Sequence, residues 1–286
     1  MAFSPQNQDN SIENRLQKQY NGFLNSEVLF KTHFDTLDFF ELKKILLKSS
    51  ELSDDFYMPQ NIRLGQRMEF FMEAALKATN HQIQAKNLQI IHQKKTLGEI
   101  DFIIKDPVQN SNFQLEMVYK FYLFDPAIQG TWSQQWIGGN RRDSLYLKLK
   151  KLQEKQLPLL YAPETAIYLD ELHLKTDVLS QKVCFMGQLF LPYEGDYTFN
   201  EHLNPTALKG FWITKKQLNA LKPHIEKILI PPKNDWVVSP ALHDEQWKTY
   251  KEQAPILSAL LDKKQNALAW MLDKSNVLKC FFLVWW

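Results

Sequence analysis

The alternation of side chains in residues 113–123 constrains the fold more than any other feature of the sequence. Every second residue is apolar, namely Phe113, Leu115, Met117, Tyr119, Phe121 and Leu123. The positions between them are mixed and include Glu116 and Lys120. Because successive side chains of a strand point to opposite faces, the pattern predicts a strand with one wholly apolar face. The polar groups of its other face indicate a role beyond core packing.

A second strand is predicted just before this one, over residues 98–104. In this segment Asp101 alternates with Phe102 and therefore points to the opposite face of the strand. The residues between the two strands are rich in Asp, Pro, Asn and Ser, which are typical turn formers. If the strands pair as a hairpin, Asp101 and Glu116 emerge from the same face of the sheet.

Helical and further strand patterns surround this hairpin. Leu64, Met68, Phe71 and Ala75 recur at helical spacing and predict an amphipathic helix over residues 63–78, with Glu69 on its flank. Other predicted strands cover residues 88–91 and 183–191. Other predicted helices cover residues 140–156, capped by Asn140, then 214–221 and 254–273. A short hairpin region is predicted at residues 228–238.

The order of these elements is typical of an α/β fold with a mixed central sheet flanked by helices. The length of 286 residues suits a core domain with appendages at both ends. We predict an N-terminal arm and helical cap over residues 1–60 and an α/β core over 61–213. Residues 214–286 are predicted to form a C-terminal helical and strand extension packed on that core.

Composition restricts the class of protein less than the side-chain patterns do. The net charge of +2 gives no overall signal for a nucleic-acid partner, so such a partner must be argued from local patches. Cys184 and Cys280 lie in apolar runs, fit no metal-binding spacing, and are predicted to be buried thiols. The sequence has no signal-peptide pattern and no apolar run of membrane-spanning length. We therefore expect a cytoplasmic protein without membrane association.

The acids and the lysine of the predicted hairpin suggest metal-dependent phosphodiester chemistry. Mg²⁺ prefers oxygen ligands, commonly one or two carboxylates completed by phosphate and water. Asp101 and Glu116 are the predicted ligands, and Lys120 on the same strand face would orient a water or stabilise the phosphorane charge. Glu69, brought in by the preceding helix, would bind metal or tune the pKa of its neighbours.

Each of these features also has a purely structural interpretation. Acid–lysine pairs on exposed sheet faces are common cross-strand partners that contribute only a few tenths of a kcal/mol. A row of lysines on the helix over 140–156 is commonly a solvated face, although it could bind phosphates. Trp132 and Trp136 could stack nucleic-acid bases, but large aromatic residues more commonly serve packing. The candidate nucleic-acid-binding residues are Arg141, Arg142, Lys148, Lys151, Lys155, Trp132 and Trp136.

The ordered set of segments resembles a known superfamily. A helix with Glu69, then Gly98-Glu99-Ile100-Asp101-Phe102, then the strand from Glu116 to Leu123, resembles the PD-(D/E)XK nuclease-like superfamily. More narrowly, the chain resembles an uncharacterised bacterial family called domain of unknown function 1853. That narrower resemblance rests also on Arg63-Leu64-Gly65, on residues 136–149 and on residues 187–193.

The resemblance implies a restriction-endonuclease-like core and Mg²⁺- or Mn²⁺-dependent hydrolysis of nucleic acid, with DNA as the favoured substrate. Glu69, Asp101, Glu116 and Lys120 would be the catalytic residues, and Asp101 and Glu116 the metal ligands. The sequence departs from the superfamily pattern at Ile100, which replaces a proline, and at Val118, which occupies the usual lysine position.

Two further hypotheses compete with a nuclease. The same fold could serve as a catalytically inactive module that binds nucleic acid or a protein partner. The apolar C-terminal segment, residues 281–286, could itself bind a protein, although such a segment more commonly forms a last strand packed on the body of the protein.

Overall fold

The structure of this chain is a computed structural model that describes residues 5–31, 34–45 and 51–286. Of residues 5–12, 44 and 45, only the backbone is described. Among the described residues, no helix combines the length and the apolar character needed to cross a membrane.

The chain forms a mixed α/β fold in which a large mixed sheet is flanked by helices. The helices are α1 Pro5–Leu24, α2 Leu42–Ile45, α3 Leu64–Ala78, α4 Leu145–Lys151, α5 Pro163–Glu171, α6 Lys215–Leu221 and α7 Tyr250–Asp262. The strands are β1 Gln82–His92, β2 Lys95–Lys105, β3 Asn112–Phe124, β4 Trp136–Gly138, β5 Leu179–Pro192, β6 Leu208–Ile213, β7 Ile225–Leu229, β8 Ala267–Asp273 and β9 Leu278–Leu283.

The chain divides into two compact units, neither of which is continuous in sequence. The first unit comprises residues 1–119 and 147–186, and the second comprises residues 120–146 and 187–286. Two strands, β3 and β5, pass from one unit to the other within their length. The three-segment division at residues 60 and 213 stays a prediction.

The first unit is organised around the β1–β2–β3 meander. Gln93 and Lys94 connect β1 to β2 with φ angles of 48° and 64°, which is the two-residue turn that matches the twist of paired strands. Next, β2 pairs antiparallel with β3, and Phe102 lies opposite Leu115. Side chains of β1 and β2 pack on the segment after α4, where Ile90, Ile100 and Ile103 form a cluster with Leu159, Leu160, Leu169, Leu174 and Leu179.

Helix α3 begins where the sequence predicts and buries its apolar stripe. The side-chain oxygen of Gln66 accepts a hydrogen bond from the backbone N–H of Arg63 at 3.1 Å, which satisfies a donor at the helix start. Phe71, fully buried on this helix, packs against Tyr20 and Phe23 of α1. Half-buried Glu69 lies beside the stripe, as expected from the sequence.

The second unit contains β6, β7, β8 and β9, with β9 at its centre. Parallel pairing joins β6 to β9, and antiparallel pairing joins β9 to β8 and β8 to β7. Gly210 permits the close approach of β6 and β9, because a Cβ at this position would lie 2.0 Å from the carbonyl oxygen of Cys280. The apolar C-terminal segment is therefore largely a buried strand, as the structural interpretation predicted.

Three predicted elements differ from the structure. The helix over 140–156 begins only at Leu145, and its end is a π-helical turn, Leu152–Gln156, in place of α-helix. Asn140 does not cap it and instead accepts a hydrogen bond from Asn266 at 2.8 Å. The helix over 254–273 ends at Asp262, and the apolar run from Ala267 forms β8.

The third difference concerns residues 228–238, which form no hairpin. Ile225–Leu229 is the strand β7, paired with β8, and a short 3-10 turn, Lys233–Asp235, follows it. At the N-terminus, α1 lies within the segment predicted as arm and helical cap, while residues 1–4 lie outside the described residues.

Candidate functional site

Asp101 and Glu116 occupy neighbouring strands and share one face of the sheet. Since Phe102 lies opposite Leu115, the next register position places Asp101 opposite Glu116. The ladder stops there, because the backbone N–H of Met117 donates to Oδ2 of Asp101 at 2.8 Å. Glu116 is fully buried and Asp101 is 9% exposed. This register is consistent with the predicted emergence of both carboxylates on one face.

Burial raises the pKa of both carboxyl groups. For Glu116, burial and then the nearby charge of Asp101 raise the pKa from its ordinary 4.5 to about 8. For Asp101, burial raises the pKa, while the hydrogen bond from Met117 and the charge of Lys148 lower it. In the described part of the chain, no lysine, arginine or histidine forms an ion pair with either carboxylate. Ionisation of both groups would concentrate negative charge that the surrounding protein compensates only in part, so Glu116 retains its proton up to about pH 8.

The nearest compensating charge comes from α4. Lys148, which is half-buried, lowers the pKa of both Asp101 and Glu116 by its positive charge. Its ammonium group donates to Oε1 of Gln156 at 2.7 Å, and Nε2 of Gln156 donates to Oε2 of Glu116 at 2.6 Å. Lys148 thus reaches Glu116 through an amide.

Glu69 and Glu99 form a second acidic group in the same unit. Nδ2 of Asn87 donates to Oε2 of Glu69 at 3.0 Å and to Oε1 of Glu99 at 3.3 Å. Burial raises the pKa of Glu69, and the charges of Asp101 and Glu99 act in the same direction. Asn87 itself has a φ of 51°, which places a left-handed residue within a strand. The predicted position of Glu69 near the acidic pair is consistent with these electrostatic effects.

Lys120 belongs to the second unit, where its ammonium group pairs with Oδ2 of Asp143 at 2.6 Å. Both side chains are more than one-third exposed, so this ion pair contributes little to stability. Val118, at the position where the superfamily pattern has lysine, is buried.

The candidate nucleic-acid-binding residues are distributed over both units. In the first unit, Lys151 and Lys155 are exposed. In the second unit, Arg142 is exposed, while Arg141 pairs with buried Asp125 at 2.8 Å and lies over the ring of Trp286.

The two candidate tryptophans, Trp132 and Trp136, differ in accessibility. Trp136 is buried against Phe124 and Phe199, so its burial argues against base stacking. Trp132 is half-buried and packs against His202.

The donor set of the acidic pair suits a hard cation that also binds water and substrate. Within the described residues, no three or more His, Cys, Asp or Glu side chains form a ready-made metal cage. Two neighbouring carboxylates, each with a raised pKa, nevertheless match the one or two that Mg²⁺ commonly takes from a protein. Asp101 and Glu116 therefore fit such a cation as a partial ligand set.

Comparison with known protein families gives one match that covers most of the chain. The model described as Domain of unknown function (DUF1853) matches residues 16–279. The chain belongs to the DUF1853 family. No curated protein and no solved structure matches the chain.

In this DUF1853 protein, the sequence did not predict several residues that lie around the acidic groups. They are the amide side chains of Asn87, Gln114, Gln156 and Gln181. Amide residues are common on protein surfaces, and neither their spacing nor their type distinguishes these four. Only Gln114 could have been linked to the site from the sequence, because the alternation of β3 places it on the same face as Glu116.

Proposed function

We propose that this DUF1853 protein is a Mg²⁺- or Mn²⁺-dependent phosphodiesterase that acts on nucleic acid, with DNA as the first substrate to test. The observation that carries the proposal is the pair formed by Asp101 and Glu116. Two buried carboxylates face the same side of a hairpin, both have a raised pKa, and neither has an ion-pair partner among the described residues. Buried charge of this kind is unfavourable for stability and is typical of functional sites.

Asp101 and Glu116 would hold the cation. When bound, the cation would polarise a phosphoryl oxygen and lower the pKa of a bound water. The hydrogen bond from Met117 fixes the direction in which Asp101 presents its carboxylate. Pre-orientation of this kind lowers the reorganisation needed when charge develops at the phosphate.

We assign the assisting ammonium group to Lys148 in place of Lys120. The charge of Lys148 acts on both carboxylates, whereas Lys120 is paired with Asp143 in the second unit. A lysine held near the acids would stabilise negative charge on the phosphate during bond cleavage. Val118 leaves the usual position of this lysine without a charge, and α4 supplies one from a different element.

Glu69 would act from the margin of the site. Its carboxylate is oriented by Asn87 and shares the electrostatic field of Asp101. In this position it would bind a metal-coordinated water or raise the basicity of the neighbouring carboxylate.

The order of these residues supports the superfamily assignment. An acid on a helix, an acid in one strand and an acid in the next are the parts of the PD-(D/E)XK nuclease-like pattern, here on α3, β2 and β3. A restriction-endonuclease-like core is accordingly part of the proposal.

Metal-dependent cleavage tests the proposal directly. Metal-stripped protein is incubated with plasmid, single-stranded DNA or RNA in the presence of Mg²⁺, Mn²⁺ or a chelator. We expect metal-dependent cleavage that falls by roughly 10²- to 10³-fold in Asp101→Asn. The matched control, Asp170→Asn, changes an exposed aspartate of the same unit and should cleave normally. Equal activity of both variants would disprove the metal site.

A non-catalytic nucleic-acid-binding module is the second candidate. The observation in its favour is the exposure of Lys150, Lys151 and Lys155, which follow one another along α4 and the π-helical turn. This alternative predicts DNA binding that weakens steeply with salt, without cleavage under any metal condition. Loss of binding in the triple alanine variant, with Asp101→Asn unaffected, would favour it over the enzyme.

A further inference from the structure

Two glutamine side chains donate to Glu116, and a third glutamine extends the hydrogen-bonded network behind one of them. Gln156 donates to Oε2 of Glu116 at 2.6 Å, and Gln114 donates to Oε1 at 2.9 Å. Behind Gln114, Nε2 of Gln181 donates to Oε1 of Gln114 at 2.6 Å. Both carboxylate oxygens of Glu116 thus accept an N–H from an amide.

The orientation of Gln156 follows from chemistry at its other end. An ammonium group can only donate, so the end of the Gln156 amide that lies 2.7 Å from Nζ of Lys148 must be the oxygen. The opposite end is then the NH₂ group, and it faces Glu116. Lys148 therefore determines that Gln156 presents a donor to the carboxylate.

The orientation of Gln114 is determined in a similar way by backbone carbonyls. The carbonyl of Leu157 can only accept, so the end of Gln181 that lies 2.7 Å from it is the NH₂ group. This group faces the Gln114 oxygen, which turns the NH₂ group of Gln114 toward Glu116. The carbonyl of Gln156 also lies 3.5 Å from Nε2 of Gln114.

A local backbone irregularity brings these groups together. The N–H of Leu157 bonds to the carbonyl of Leu152 at 2.9 Å, which closes a π-helical turn five residues apart. Single π-helical turns are rare and occur mostly at functional sites. The turn supplies Gln156 and, directly after it, the carbonyl of Leu157, so one segment orients both halves of the network.

We propose that Gln156 and Gln114 are positioning residues that hold the Glu116 carboxylate in one plane, with Lys148 and Gln181 fixing the direction of their amides. A carboxylate has about four lone-pair sites, and the two amides engage one on each oxygen. The backbone N–H of Asp101 also donates to this carboxylate, so about one lone-pair site stays available for a ligand. The catalytic consequence rests on the proposed function, whereas the amide orientation does not.

The amide orientation can be tested without any activity. Side-chain NH₂ signals of protein labelled with ¹⁵N at glutamine Nε2 are assigned by Gln156→Leu and Gln114→Leu. We expect hydrogen exchange of the Gln156 NH₂ group to accelerate about tenfold in Lys148→Met, because the amide becomes free to turn. Lys148→Arg, which keeps a donor-only group, should restore the slow exchange.

Lys151→Met is the matched control for charge. Lys151 also lowers the pKa of Asp101, but the described contacts give it no bond to Gln156. We expect the Gln156 signal to stay unchanged in this variant. If Lys148→Met leaves the signal unchanged, or if Lys151→Met shifts it equally, the network proposal is wrong.

A double-mutant cycle tests the consequence for the metal. Mg²⁺ affinity is measured by calorimetry for Lys148→Met, Gln156→Leu and the double variant. Each single change should weaken binding by roughly 10-fold, as is typical for residues that support a metal ligand. The double variant should fall clearly short of the product of the two single effects, because Lys148 acts on Glu116 through Gln156 as well as by its charge.

The outcomes separate the two proposals. A product of the two single effects, about 100-fold, would mean that Lys148 acts independently of Gln156 and would overturn the relay. Absence of Mg²⁺ and Mn²⁺ binding by the unmodified protein would overturn the proposed function, and the exchange measurement would then decide the network alone.

Discussion

Two buried aspartates, one in each unit, are compensated in different ways. Asp125 of the second unit is 5% exposed and pairs with Arg141 at 2.8 Å. Its Oδ1 also accepts the backbone N–H of Ala127 at 3.0 Å. Asp101 of the first unit is 9% exposed and accepts a backbone N–H from Met117. In the described part of the chain it has no ion-pair partner, and its neighbour across the hairpin is another acid, Glu116.

The difference separates a buried carboxylate that an arginine neutralises from one that has no ion-pair partner among the described residues, as the proposed metal site requires. Asp125 and Arg141 satisfy each other, and Arg141 in turn covers the ring of Trp286. Four measurements can break or sharpen this contrast.

The largest expected effect is the loss of stability with rising pH. Since the pKa of Glu116 is about 8 in the folded protein and near 4.5 when unfolded, the folded state retains a proton that the unfolded state has lost. The free energy of unfolding should therefore fall between pH 4.5 and 8, by roughly 2–5 kcal/mol. Urea denaturation at several pH values measures this fall. A contribution of Glu116 that rises with pH would have the wrong sign.

The next effect is stabilisation by metal at high pH. Mg²⁺ that binds the carboxylate pair should raise the free energy of unfolding by about 2.7 kcal/mol at 100 times its dissociation constant. The increase should be larger at pH 8 than at pH 5, where Glu116 retains its proton. Thermal denaturation with and without Mg²⁺ measures it, and an equal increase in Asp101→Asn would assign the effect to another site.

Asp125→Asn should destabilise the protein by roughly 1–3 kcal/mol. The change removes a charge-assisted hydrogen bond to Arg141, whose side chain is 41% exposed and retains some hydration. Chemical denaturation of the variant measures the loss. No change in stability would mean that the ion pair contributes nothing and that the contrast with Asp101 is false.

Asp101→Asn should have the smallest effect and the opposite sign. The amide oxygen can still accept the N–H of Met117, while the charge that raises the pKa of Glu116 disappears. We expect stabilisation by about 1 kcal/mol at pH 8 and less at pH 5. Chemical denaturation at both pH values measures this effect. A destabilisation comparable to that of Asp125→Asn would mean that Asp101, like Asp125, stabilises the fold.

The sequence predicted the local parts of the site better than their assembly. Side-chain alternation placed Asp101 and Glu116 on one face, and apolar spacing located α3 and with it Glu69. Both inferences depend on the side-chain periodicity of a single helix or strand, which does not depend on how that element packs. The same approach failed for residues 267–273, whose short apolar run is compatible with helix or strand. There, pairing with β9 decides the outcome.

Lys148 shows why the rest could not be read from the sequence. It was counted among the lysines that could contact nucleic acid, and nothing local distinguished it from Lys151 or Lys155. Its effect on the carboxylates depends on how α4 docks and on the π-helical turn that follows. Both are consequences of packing between elements that are distant in sequence.

The π-helical turn also determines which changes in chain length this region can tolerate. A turn that closes over five residues contains one residue more than an α-helical turn of the same chain. Deleting one residue between Leu152 and Gln156 would let the segment relax into ordinary helix and would rotate Gln156 by about 100°. Relatives that carry such a deletion should therefore have lost the glutamine network as a whole, together with any selection on the identity of residue 148.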